Sequence, residues 1–154
     1  RFFSQSSKLV YDEPVDVETV AKHTADQFQH FTQYAGVRPM GVALIIGGVD
    51  NNGNSLFLTD PSGTYVAYDA VAIGANSDVV TEFLKKEYKP NITIDEGITL
   101  AIAAIYLASE IKNGTDHVKI SQIKNDTKQY EILSEEKIKT FAQSAIEKYK
   151  TDQK

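Results

Sequence analysis

Between positions 42 and 74 the chain sets three apolar runs, "VALIIGGVD", "SLFLT" and "TYVAYDAVAIG", apart by nothing longer than a tight turn. "DNNG" (50–53) is turn chemistry. "DPSG" (60–63) has proline second and glycine fourth, the arrangement preferred by a type I turn. The chain therefore doubles back on itself, and the runs are expected to form an antiparallel meander. The first run is nearly continuous in apolar residues, too short for an ordinary helix, and carries the pair Gly47-Gly48. This suits a buried central strand with close neighbours. With so little polar alternation, both faces of the sheet are expected to be covered by other layers.

Helical periodicity brackets the strands. Asp16 can cap a helix in which Val17, Val20, Ala21, Thr24, Phe28, Phe31 and Ala35 recur at spacings of three and four; Pro14 precedes it and Gly36 stops it. After the meander, a helix over about Ser77 to Tyr88 is stopped by Lys89-Pro90. Another opens on "TIDE", a capping box of Thr93 and Glu96. Its body, "GITLAIAAIYLASEI", is apolar on most sides, so it should lie between a sheet and a further layer, ending at Asn113-Gly114. "HVKISQIK" and "QYEIL" read as a hairpin around "NDTK". Ser134 then caps a last helix with Ile138, Phe141, Ala145 and Tyr149 inward, and the tail frays. Strands grouped between helices, without strict alternation, indicate an α+β fold with layered sheets and a single domain over residues 1–154.

Composition removes several functions. The 154 residues include 16 basic and 21 acidic side chains, a net charge of −5, with no basic block to suit nucleic acid. There is no cysteine, hence no disulfide framework, thiolate metal site or cysteine nucleophile. No apolar run approaches the roughly 18 residues that cross a bilayer, and "RFFSQSSKLV" lacks the apolar core of a secretory signal. A cytoplasmic protein is expected. "NIT", "NGT" and "NDT", at Asn91, Asn113 and Asn125, match the glycosylation sequon by chance on that view.

Individual motifs offer little chemistry. His23 and His30 share a helix face but have no cysteine or nearby carboxylate at metal-ligand spacing, and His117 begins a strand. "AIGANS" could expose helix amides to an anion, although plain capping explains it and the lysine of a phosphate loop is missing. No G-x-S-x-G elbow is present. Asp50 and Asp60 each read as holding their own turns. No cofactor or metal site is expected.

Taken in order, "FTQYAGVRPMGVALIIGGVD", "LFLTDPSGTYVAYDAVAIGANSD" and "FLKKEY" closely resemble the non-catalytic alpha subunits of the proteasome core particle, the archaeal type above all. The resemblance runs almost continuously from Val15 to Tyr149. It implies a four-layer αββα sandwich of the N-terminal nucleophile hydrolase type. Catalytic beta subunits of that fold start with a threonine whose hydroxyl attacks and whose amine is the base; residue 1 here is arginine. Where beta subunits carry an Arg-Asp-x-x-Ser-Gly stretch, this chain has "IKNGTD", with Lys112 for the aspartate and Thr115 for the serine. "TQYAGVRPMG" follows the alpha signature, with Met40 where an aromatic is usual.

The implied role is structural: heptameric alpha rings that cap the core particle beside its beta subunits, gate substrate admission and dock regulatory unfoldase ATPases. Gln33, Gly36, Arg38, Pro39, Gly41, Asp60 and Gly63 are the candidates for structural or subunit contact. Arg38 either ties carbonyls of the tight corner "GVRPMG" with its five donors or reaches an adjacent subunit. Against the family, "RFFSQSSKLVYDEP" matches the end of a long helix and the loop after it, so the gating helix and the N-terminal strands are expected to be absent. Bared strand edges would then promote self-association of this polypeptide alone. Two other readings are a beta-type threonine peptidase of the same fold and a stand-alone module binding an anion at "AIGANS".

Overall fold

The structure is a computed structural model that describes residues 2–108 and 118–149. They gather into two compact units, one reaching to Asp69 and including Asn125–Lys128, the other formed by the rest. Helices and strands are mixed, and every strand pairing is antiparallel.

The first unit holds α1 (Phe2–Tyr11), α2 (Val17–Gln33), β1 (Leu44–Asp50), β2 (Gly53–Thr59) and β3 (Tyr65–Ala67). The strands form one sheet in the order β1-β2-β3. Leu44 faces Thr59, Asp50 faces Gly53 and Thr59 faces Tyr65 across the ladder. Asp16 caps α2 as expected: its carboxylate accepts from the Thr19 amide at 2.7 Å and the Thr19 hydroxyl at 2.8 Å. Ala21, Ala25 and Phe28 are the buried stripe of α2, which packs on the sheet. Gly48 makes room for it, since a Cβ there would lie 2.7 Å from Val17 Cγ2. The residues alternating with Gly48 and its partner Ser55, notably Phe57 and Thr59, are buried on that face.

Three expectations fail here. Among the described residues β1 is an edge strand and not a central one, with Leu44 39% and Ile45 41% exposed. Its apolar run therefore has no described neighbour on its outer edge, and the sheet face away from α2, with Ile45 and Val66, is open in this unit. The third run contributes only Tyr65–Ala67, because the ladder ends once Tyr68 has donated to the Leu56 carbonyl at 2.9 Å and the chain bends at Asp69. Finally, α2 stops at Gln33, so Ala35 is exposed and lies outside the buried stripe.

The second unit holds α3 (Ser77–Glu87), α4 (Ile94–Ala108), β4 (Ser121–Ile123), β5 (Tyr130–Ile132) and α5 (Glu135–Tyr149). α4 lies between α3 and α5, so its main partners in this unit are helices where a sheet was expected. Ile98, Ile102 and Ala103 of α4 meet Ile138, Ala142 and Ala145 of α5 and Leu133 after β5. Phe83 and Tyr149 close the edge of this core, ring centres 5.4 Å apart. The capping box forms: Thr93 N–H donates to Glu96 Oε2 at 2.8 Å, and Glu96 N–H to Thr93 Oγ1 at 3.3 Å. α3 closes with the Tyr88 amide on the Leu84 carbonyl at 2.9 Å, just ahead of Lys89-Pro90. The hairpin pairs Ser121 with Ile132 and Ile123 with Tyr130. The helix stop read at Asn113-Gly114 lies outside the described residues. Among the described residues, no helix is long and apolar enough to cross a membrane.

Candidate functional site

The contact candidates converge on one end of the first unit, where α2 ends. The Leu44 to Thr59 pairing sets the exit of the corner, Gly41 to Ala43, beside the Asp60 turn that follows Thr59. That turn meets α2 in its turn. A Cβ on Gly63 would fall 2.7 Å from the Gln29 amide nitrogen, and Gly63 holds φ +90°, so both packing and conformation call for glycine. Gln33 follows Gln29 by one helical turn and is exposed.

Asp60 organises its own loop, as the sequence suggested. The Gly63 amide donates to its carbonyl at 3.0 Å, closing the turn. Its carboxylate accepts from the Ser62 amide at 2.7 Å, the Thr64 hydroxyl at 2.7 Å and the Ser62 hydroxyl. The Ser62 hydroxyl, followed by the Thr64 hydroxyl and the Ser62 amide, holds the Asp60 carboxyl below the ordinary aspartate range.

The corner itself is a short, turned connector. Tyr34 leaves the helix in extended geometry, the Val37 amide donates to the Tyr34 carbonyl at 3.3 Å, and Gly36 sits at φ +87°. Gly41 has an ordinary φ and nothing within 4 Å of where a Cβ would lie, so neither demand applies to it. Arg38 and Pro39 are exposed. Among the described residues Arg38 makes no hydrogen bond or ion pair, and ties to the corner carbonyls are not among the bonds they form. Beside it Tyr34, Val37 and Val42 are 59%, 44% and 51% exposed, with His30 against the Tyr34 ring at 4.9 Å. The corner thus presents an exposed guanidinium flanked in sequence by exposed apolar side chains, an arrangement suited to contact.

The other motifs resolve into local structure. The His23 ring stacks on Phe3 at 3.8 Å and lies 3.3 Å from the Gln27 amide nitrogen. Among the described residues, no cluster of His, Cys, Asp or Glu could hold a metal. In "AIGANS", Asn76 occupies the N-cap of α3 at φ 59° but makes no capping bond; its side chain donates to the Ala108 carbonyl at 2.8 Å. Plain capping is thus replaced by a bond to α4. His117, Lys112 and Thr115 lie outside the described residues.

Two features escaped sequence reasoning. Asp50 holds its turn through the Asn52 amide at 2.7 Å, and its second oxygen also accepts from the Val17 amide at 2.9 Å, fixing the start of α2 to the hairpin. The exposed pair Asp12-Glu13 sits at the opposite end of α2 from Arg38, with Asp12 in the left-handed region at φ 56°. The only signal for it was two acids ahead of Pro14.

Residues 1–123 match a family model described as proteasome subunit. The proteasome subunit alpha of Methanosarcina acetivorans is 38% identical over 150 residues, covering 97% of this chain and 61% of that protein. That of Archaeoglobus fulgidus is 38% identical over 148 residues, 96% of this chain and 60% of its own. That of Pyrobaculum aerophilum is 42% identical over 141 residues, 92% of this chain and 54% of its own. The chain thus spans between 54% and 61% of the length of these relatives.

Proposed function

This chain belongs to the proteasome subunit family, and from that premise we propose that it serves as an alpha-type, non-catalytic subunit of a proteasome core particle. The observation that carries this reading is the likeness to proteins named proteasome subunit alpha over 92% to 97% of the chain. It favours the alpha over the beta alternative. In this reading the chain forms part of one domain with the four-layer αββα architecture. It joins other alpha subunits in an outer ring, stacks on beta subunits, and helps gate protein substrates and dock a regulatory unfoldase in the cytoplasm.

Its contribution is contact and not bond cleavage. The corner and the turn, Gln33, Gly36, Arg38, Pro39, Gly41, Asp60 and Gly63, act as a preshaped contact end. The exposed guanidinium, which has no partner among the described residues, and the exposed Tyr34, Val37 and Val42 near it in sequence support that role. The protein purified alone is expected to leave a fluorogenic peptide uncut, whereas particles reconstituted with a catalytic beta subunit cut it. Hydrolysis by the chain alone, abolished by replacing one hydroxyl residue, would overturn the reading.

A further inference from the structure

The hairpin of β1 and β2 turns on Asn51 and Asn52, and the residue that follows is Gly53, the first of β2. Both asparagines are exposed. Their side chains are employed differently. Asn51 Oδ1 accepts from Lys128 Nζ at 2.8 Å. The Asn52 side chain makes no hydrogen bond with any described residue, while its backbone N–H donates to Asp50 Oδ1 at 2.7 Å. Gly53 holds φ +111°, with nothing within 4 Å of where a Cβ would lie. A solvated side-chain amide thus adjoins a backbone nitrogen that no side chain of its own residue shields.

We propose that Asn52-Gly53 is a site of spontaneous deamidation, at which the chain ages into aspartyl and isoaspartyl forms and loosens its own anchor for α2. Asparagine is among the thermolabile residues, and this turn gives it the required neighbour. With hydroxide taking its proton, the Gly53 backbone nitrogen attacks Asn52 Cγ. The new C–N bond closes a succinimide ring and the Cγ–Nδ2 bond breaks, the side-chain nitrogen leaving as ammonia with a proton from water. Water then adds to one ring carbonyl, whose bond to the ring nitrogen breaks. Opening at Cγ leaves aspartate, and opening at the backbone carbonyl leaves isoaspartate. One water is consumed and one ammonia released, with no change of oxidation state.

The other described asparagines lack one or more of these conditions. Asn76 donates its side chain to the Ala108 carbonyl at 2.8 Å. Asn51, Asn54, Asn91 and Asn125 are followed by Asn52, Ser55, Ile92 and Asp126, whose side chains crowd the nitrogen that would attack. Asn113-Gly114 repeats the dipeptide and lies outside the described residues.

Asp50 carries the change to α2. Its carboxylate accepts from the Asn52 amide through Oδ1 and from the Val17 amide through Oδ2, at 2.7 and 2.9 Å. Asp50 also faces Gly53 as the last pair of the ladder. Isoaspartate lengthens the main chain inside this tight turn, so the pairing with Gly53 and the bond to Asp50 are no longer satisfied together. Either product adds a carboxylate close to that of Asp50, and like charges repel.

Ageing the purified chain tests the site. Samples held in mildly acidic and mildly alkaline buffer made with heavy-oxygen water are followed by peptide mapping, with isoaspartate read by an isoaspartyl carboxyl methyltransferase. In ordinary water the Asn52 peptide is expected to gain about 1 Da. In heavy-oxygen water it should take up one labelled oxygen, at a rate rising roughly tenfold per pH unit with the ionised fraction of the Gly53 amide. Asn52→Ser should show no gain there and keep its thermal midpoint on ageing. Asn52→Asp carries the charge without the longer main chain. The isoaspartyl form should melt about 2 to 4 °C below Asn52→Asp, as the loss of one such hydrogen bond implies in a chain of this length, and its Val17 amide should exchange with deuterium faster.

An Asn52 peptide unchanged under conditions that convert a free peptide of sequence "DNNGN", or a mass gain confined to Asn113, overturns the site. Conversion at Asn52 with an unchanged midpoint and unchanged Val17 exchange overturns the loosening of α2. Neither result bears on the subunit reading.

Discussion

At Gly63 conformation and packing make the same demand: φ is +90°, and the α2 backbone at Gln29 occupies the space a side chain would need. Gly63→Ala is expected to destabilise the fold by more than about 1 kcal/mol, read as a lowered thermal midpoint. Asp16→Ala removes the cap of α2 and should cost about 1 kcal/mol in the same measurement. Asp60, Asp16 and Glu96 share a direction of titration. Each accepts hydrogen bonds in the folded chain that hold its carboxyl below its ordinary value, chiefly the Ser62 hydroxyl, the Thr19 amide and the Thr93 amide. Their contribution is therefore complete above the unfolded-state values, about 4 for these acids. It is lost as pH falls through the lower folded values. Acid unfolding followed by circular dichroism should show this, with Asp60→Asn less sensitive than wild type to acidification below that range. Asp60 was legible in the sequence because its partners lie within four positions. The Val17 bond of Asp50 and the lack of a partner for Arg38 among the described residues were not, because both depend on where distant parts of the chain come to rest.

Among the elements, α4 is the one on which the second core depends. Ile102 is fully buried, so Ile102→Ala should cost about 2 to 5 kcal/mol, seen as a fall in denaturation midpoint. The capping box of α4, the cap of α2 and the stop of α3 were all readable, since each is a local exchange of hydrogen bonds among residues a few positions apart. β1 was not readable in the same way. Its composition says only that water is disfavoured, and the strand could be covered by a neighbour in its own unit or by something beyond it. In the first unit it is a half-exposed edge. A charge on its open face should accordingly reduce self-association of this polypeptide: Ile45→Lys is expected to lower light scattering on concentration, without loss of secondary structure.

For the whole molecule, the antiparallel pairings, the element order and the family were within reach of the sequence, because turn residues and long ordered motifs carry them. The seven contact candidates also proved to share one end of the first unit, an arrangement no spacing along the chain encodes. It arises from the register of Leu44 on Thr59 and the approach of Gly63 to Gln29. The acidic loop at the far end went unread for the same reason. The central claim is that this chain is an alpha-type scaffold which contributes contacts and no nucleophile. Electron microscopy of reconstituted particles bearing a label on this chain tests it most directly. Label confined to the outer rings is the expected result; label in the inner, peptide-cleaving rings would contradict it.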